Sequence, residues 1–210
     1  MHIADGVLPL SSVAAGWVGT VVVTGLTLRK VPSEELPRAA VMTAGFFVAS
    51  LIHIPLGPTS VHLILNGLVG IVLGWAAFPA ILVGLVLQAL LFQHGGLLTL
   101  GANALMLGLP ALAAYKIFGM RRFLKFRHPE AVAGFLAGSA SVLLSGIILA
   151  LWLYSAGSEF WTIAKLALVA HLPLMVLEGL VAAAAAIFLV KVKPEILGGT
   201  TRAAKEKLAD

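Results

Sequence analysis

The chain has 210 residues, of which 60% are hydrophobic and 11% charged, with a mean hydropathy of +1.04. That charged share is under half of what a soluble domain carries, and one core of this size cannot hide so much apolar surface. The absence of cysteine excludes a disulfide scaffold, thiolate zinc sites and iron–sulfur clusters, so any bound metal must use nitrogen or oxygen.

These quantities predict an all-α, polytopic membrane protein with about seven transmembrane helices. Apolar runs fall at about 8–28, 39–56, 60–78, 79–92, 99–118, 130–154 and 163–191. Pro55, Pro58 and Pro79 punctuate the short second to fourth runs. A six-helix count follows if 60–92 is one broken element. Residues 1–193 read as a single transmembrane domain and 194–210 as a short polar cytoplasmic tail.

The net charge of +5 on a soluble chain would suggest nucleic acid. Here the charges sit at the ends of apolar runs, which points to sidedness in a bilayer and not to nucleic acid. Arg29, Lys30 and Arg38 follow the first run. Lys116, Arg121, Arg122, Lys125 and Arg127 follow the fifth, and Lys191, Lys193, Arg202, Lys205 and Lys207 follow the seventh. Thirteen of the fourteen basic residues thus share one side if there are seven helices, and that side is the cytoplasm. The N-terminus is then outside and the C-terminus inside, in the cell inner (plasma) membrane. No basic region precedes the first run, so the N-terminus is expected to persist rather than leave with a signal peptide.

This topology gathers His2, His53, His62 and His94 near the outer helix ends, with His171 in the outer third of the last helix. His128 alone is cytoplasmic. Imidazoles at that depth are costly and mark function, and imidazole suits Ni, Co, Cu and Zn ions. The amine and backbone amide of Met1-His2, with a ring nitrogen of His2, can close fused chelate rings around one ion. The amide must lose its proton, as divalent nickel and copper promote. The ordinary reading of two leading residues is disorder. His62 is the candidate for the fourth corner, at the start of the third helix, which Thr59 or Ser60 would cap. Asn66, one turn on, would orient it. Taken alone, His62 reads equally as an interfacial histidine bonded to a loop carbonyl.

Asp5-Gly6 reads first as a turn whose carboxylate fixes backbone amides, and second as support for His2. Gln88, Asn66 and Asn103 read as interhelical hydrogen bonders, with Asn103 a further candidate to support the site. Gly95-Gly96 reads as a flexible outer loop able to open over it. His53 and His94 are relay candidates or simple interfacial residues. His171 and Glu178 share a helix face, either as a functional intramembrane pair or as a buried hydrogen-bonded pair stabilising the bundle. No Walker A lysine motif and no HExxH occur, which argues against ATP hydrolysis by a P-loop and against a zinc protease.

Met1-His2-Ile3-Ala4-Asp5-Gly6-Val7-Leu8-Pro9 resembles the start of the CbiM/NikM family, the substrate-specific membrane components of nickel and cobalt energy-coupling-factor (ECF) transporters. So do Ile54 to Leu63 (IPLGPTSVHL), Gly95 to Asn103 (GGLLTLGAN), and His171-Leu172-Pro173 running on to Glu178-Gly179. The motifs span nearly the whole chain in register. The resemblance implies that Met1, His2 and His62 hold the ion and that the first helix is added to a six-helix core, its N-terminal end dipping into the site. It implies transport of Ni(II) or Co(II) with no catalytic cofactor. Its implied partners are a transmembrane coupling (T) subunit, ABC-type ATPase subunits and a small accessory membrane subunit. Many relatives lack a histidine at the position of His53, and some have an acidic residue near His94. Competing readings are a stand-alone metal channel or exchanger, an intramembrane metalloenzyme, and a non-catalytic scaffold.

Overall fold

The structure, a computed structural model, describes residues 2–51, 53–56 and 59–197, the segments 53–56 and 59–62 by their backbone alone. Seven α-helices and one short hairpin occur among them: α1 (Leu10–Leu28), α2 (Leu36–Ala49), β1 (His53–Leu56), β2 (Thr59–His62), α3 (Asn66–Leu73), α4 (Ala77–Phe92), α5 (Leu100–Gly119), α6 (Pro129–Ala156) and α7 (Trp161–Val192). Proline in the first turn begins α2 and α6, where its missing N–H costs nothing. Gln93, in a left-handed conformation at φ 54°, ends α4.

By length and composition, five helical stretches among the described residues suffice to cross a bilayer: Leu10–Leu28, Asn66–Phe92 (broken at Gly74), Leu100–Phe123, Pro129–Ala156 and Ser158–Val192. Leu10, Val18, Val41, Val169 and Phe188 are exposed on the helix surfaces, as expected of residues facing lipid. The chain is therefore a membrane-embedded helical protein.

One local expectation is corrected. The segment expected to open the third helix is a strand. Thr59–His62 pairs antiparallel with His53–Leu56, placing His62 opposite His53 and Ile54 opposite Val61. Neither Thr59 nor Ser60 caps a helix at His62, and Asn66 is not one helical turn beyond it. Prolines at 55 and 58 remove helical donors, and the β-branched Ile54 and Val61 suit a pleat. The helix starts at Asn66, after Leu65 at φ 55°. The fold is thus all-helical in class, as expected, with one short hairpin between α2 and α3.

The stretch 66–92 is also not one straight helix. Asn66 bonds Leu107, a Cβ on Gly70 would meet the Ala111 carbonyl, and one on Gly74 would lie 3.2 Å from the Tyr115 ring. So α3 runs alongside α5 in the same direction. Phe78 fills the space beside Gly108, whereas Gln88 lies near the start of α5, so α4 runs the opposite way. The chain folds back at Gly74 (φ +57°), a conformation open to glycine. At eight residues, α3 spans about 12 Å.

The ends following α1, α5 and α7 meet. Lys30 and Lys116 hold their ammonium groups 3.7 and 4.6 Å from the Trp75 ring centroid. Arg38 donates to Val72 and Ile196 carbonyls, and Arg121 to that of Leu197 at 2.7 Å. The basic residues after α1 and α5 thereby share one end of the bundle with the segment that follows α7; Arg202, Lys205 and Lys207 lie outside the described residues.

At the other end α1 lies directly on α5. A Cβ on Gly16 would sit 2.6 Å from the Ala102 nitrogen, and one on Gly101 2.6 Å from that of Trp17. Thr20 donates to the Gly101 carbonyl at 2.7 Å. Gly101→Leu should lower stability by about 1–3 kcal/mol, read as a fall of several degrees in the thermal midpoint in detergent, because backbones must separate to admit the side chain.

Candidate metal site at the N-terminal end

Residues 2–5 run into the bundle between the end of α4 and the start of α5. Ile3 is fully buried and His2 nearly so. The contact is a reciprocal amide clasp. Ile3 N–H donates to Asn103 Oδ1 at 2.9 Å, while Asn103 Nδ2 donates to the Ile3 carbonyl at 3.0 Å. The Thr99 hydroxyl adds a bond to that carbonyl at 2.8 Å. Asp5 accepts from the Thr99 N–H and hydroxyl at 3.0 and 3.2 Å. Its carboxylate fills the place where a Cβ on Gly96 would lie. Gly95-Gly96 thus has a close-approach role in this state.

His2 Nε2 lies 2.6 Å from Gln88 Oε1. A carbonyl oxygen only accepts, so Nε2 is the donor in this contact. Fixing the tautomer from behind is how proteins prepare an imidazole for a metal. His94 lies edge-on to His2 at 6.4 Å between ring centroids and stands 6.0 Å from Phe92. His2, Asp5, His94 and Asn103 therefore come together.

Asn66, His171 and Glu178 lie deeper. Asn66 Nδ2 donates to the Leu107 carbonyl at 3.1 Å and to Ser145 Oγ at 2.9 Å. The expected His171–Glu178 hydrogen bond is absent. His171 Nδ1 bonds the Ala167 carbonyl at 2.6 Å. Glu178 accepts the Ile64 N–H at 2.5 Å and the Leu65 N–H at 2.9 and 3.0 Å. The carboxylate thus satisfies orphan donors at the start of α3, directly below the hairpin. Met1 lies outside the described residues. His53 and His62 are described only by their strand register.

Among the described residues, no three His, Asp or Glu side chains converge in metal-holding geometry. A site here must draw on backbone or amide donors, or on residues outside that set. Thr99 is the contributor to which the sequence assigns no role, whereas Gln88, expected as an interhelical hydrogen bonder, bonds His2 instead. Gln88 is a lone polar residue inside an otherwise apolar helix, and that isolation is the signal for a buried partner.

Asn103→Leu should strand the Ile3 N–H and carbonyl. A loss of about 1–3 kcal/mol is expected, with metal affinity falling in parallel; a thermal melt and a metal titration on the same sample check both.

Residues 2–196 match the family described as the cobalt uptake substrate-specific transmembrane region, CbiM. The chain belongs to the CbiM family. A Haemophilus influenzae protein named for metal transport is 37% identical over 205 residues, covering 95% of this chain and 98% of its own. A fused nickel transport protein, NikMN, of Rhodobacter capsulatus is 37% identical over 111 residues, covering 50% of this chain and 32% of its own. The crystal structure of a transition metal transporter superposes with a TM-score of 0.76 at 26% identity, covering 91% of this chain and 93% of that one. CbiM chains are transport components rather than enzymes, and membership bears out the resemblance in the four motifs.

Proposed function

We propose that this chain is the substrate-binding membrane component of an ECF-type ABC importer that captures Ni(II) or Co(II) at the outer face. The observation that carries the reading is the buried N-terminal tip, with the His2 tautomer set by Gln88 and Ile3 clasped by Asn103 and Thr99. In this reading Met1 supplies its amine, His2 its amide nitrogen and Nδ1, and His62 the fourth nitrogen. Nitrogen-rich planar ligation favours nickel on geometry. Copper would bind more tightly on the Irving–Williams order, so its exclusion rests on availability or access. The family description supports cobalt, and the similarity to NikMN supports nickel.

Lys30 and Lys116 meeting at Trp75, and Arg38 reaching the Ile196 carbonyl after α7, support seven crossings, with α3 and the hairpin together making one. Basic residues mark the cytoplasmic side, so in this reading the N-terminus is outside. The membrane is then the cell inner (plasma) membrane. Energy comes from ABC-type ATPase subunits through a T subunit, with a small accessory membrane subunit completing the assembly.

Reconstitution in liposomes tests this. The chain alone should load metal without translocating it, and uptake should require the ATPases and ATP hydrolysis. Sustained uptake by the chain alone would favour a channel or exchanger. Loading should release protons, and affinity should fall at least about tenfold per pH unit below about pH 6, because imidazole and amine ligands must shed protons to bind. Calorimetry in buffers of different ionisation enthalpy reads both effects.

A further inference from the structure

One layer below the N-terminal clasp, two buried acceptors have no donor. Asn66 Oδ1 and His171 Nε2 are both without a hydrogen-bond partner, on side chains 0% and 3% exposed. Their chemistry is fixed by what holds their other ends. Asn66 gives both amide hydrogens away, to the Leu107 carbonyl and to Ser145 Oγ, so its oxygen faces elsewhere with both lone pairs unused. His171 Nδ1 faces the Ala167 carbonyl and so carries the ring proton, leaving a lone pair on Nε2. A ring N–H on a backbone carbonyl is the usual support behind a metal-ligating histidine.

The helix register places these groups at one level. Helices α6 and α7 are antiparallel. A Cβ on Gly134 would meet the Ala182 carbonyl and one on Gly138 that of Glu178, while Ser139 donates to the Met175 carbonyl. Continued outward, this pairing carries Ser145 opposite His171. Ser145 is itself fully buried and holds Asn66. The level lies near Leu107, one turn of α5 and about 6 Å inward of Asn103. β2 and α3 both pack against α7, closing the layer from the hairpin side.

Buried acceptors facing no donor call for a cation or a water. In a chain whose cargo is a divalent transition metal, a neutral imidazole nitrogen and an amide oxygen are suitable ligands. We propose that Asn66 Oδ1 and His171 Nε2, with Ser145 Oγ beside them, form a second cation site, an inner station for Co(II) or Ni(II) below the N-terminal pocket. Its reading as a station rests on the transport function proposed above; the binding itself does not.

Crystals of the full chain soaked in excess Co(II) and measured at the cobalt edge test it, with a parallel calorimetric titration in lipid nanodiscs. Two anomalous peaks are expected, the inner one against Asn66 and His171, matching a second and weaker equivalent in solution. His171→Leu should remove the inner peak and weaken the second equivalent at least tenfold, leaving the first unchanged. His2→Ala should do the reverse, and retention of the inner peak there separates this site from the N-terminal one. A wild-type crystal with no inner peak at saturating cobalt overturns the proposal without recourse to any variant. An inner peak undiminished in His171→Leu overturns it equally.

Discussion

One alanine added ahead of Met1 should lower Ni(II) affinity at least about 100-fold, a loss of about 2.7 kcal/mol or more. The extension turns the Met1 amine into an amide and moves the charged terminus one residue along. The clasp at Ile3 and the Gln88 contact to His2 fix residues 2 and 3 against α4 and α5, so the segment cannot slide to re-present its new end. His2→Ala should cost as much, because it removes the ring that Gln88 orients. A polar extension after Asp210 should leave affinity unchanged. Competition titration against a nickel chelator measures all three, and the spectrum of the loaded protein adds an independent readout, since planar nickel is diamagnetic and octahedral nickel is not. Unaltered affinity in the extended protein removes the terminal chelate.

Glu178→Ala should be the most destabilising single change in α7. It strands the Ile64 and Leu65 N–H groups in a buried place, at about 1–3 kcal/mol each. A fall of about 5–15 °C in the thermal midpoint follows for a chain of this length. Glu178→Gln keeps an acceptor oxygen and should recover about half. Hydrogen exchange at the amides of residues 64 and 65 should accelerate in the alanine variant ahead of the rest of α3. Unchanged exchange at those two amides would show that the carboxylate does not hold the segment.

The helices were legible because bilayer crossing demands long apolar runs. The helix positions at α1, α5, α6 and α7 agree with the apolar runs to within a few residues. The hairpin was hidden because IPLGPTSVHL is apolar enough to pass for helix. Its prolines register only as interruptions, and period-two pairing across 53–62 depends on a partner strand that hydropathy does not reveal. His2, Asp5 and Asn103 were legible as candidates because polar groups at membrane depth need a reason. Their partners were not. Gln88 and Thr99 matter through contacts 86 and 96 residues away in sequence; the isolation of Gln88 signals a buried partner, but no local pattern says which residue that partner is. The His171–Glu178 spacing was correctly read as one helix face, yet a shared face does not make a bond, and each residue instead serves a different neighbour.

The fold-back at Gly74 also governs biosynthesis. Helix α3 is too short to be released into lipid by itself, and the residues that receive it, Leu107, Ala111 and Ser145, emerge from the ribosome after it. Helix α3 therefore cannot complete its buried contacts until α5 and α6 have been made. Competence to hold cargo is then acquired late in synthesis rather than helix by helix.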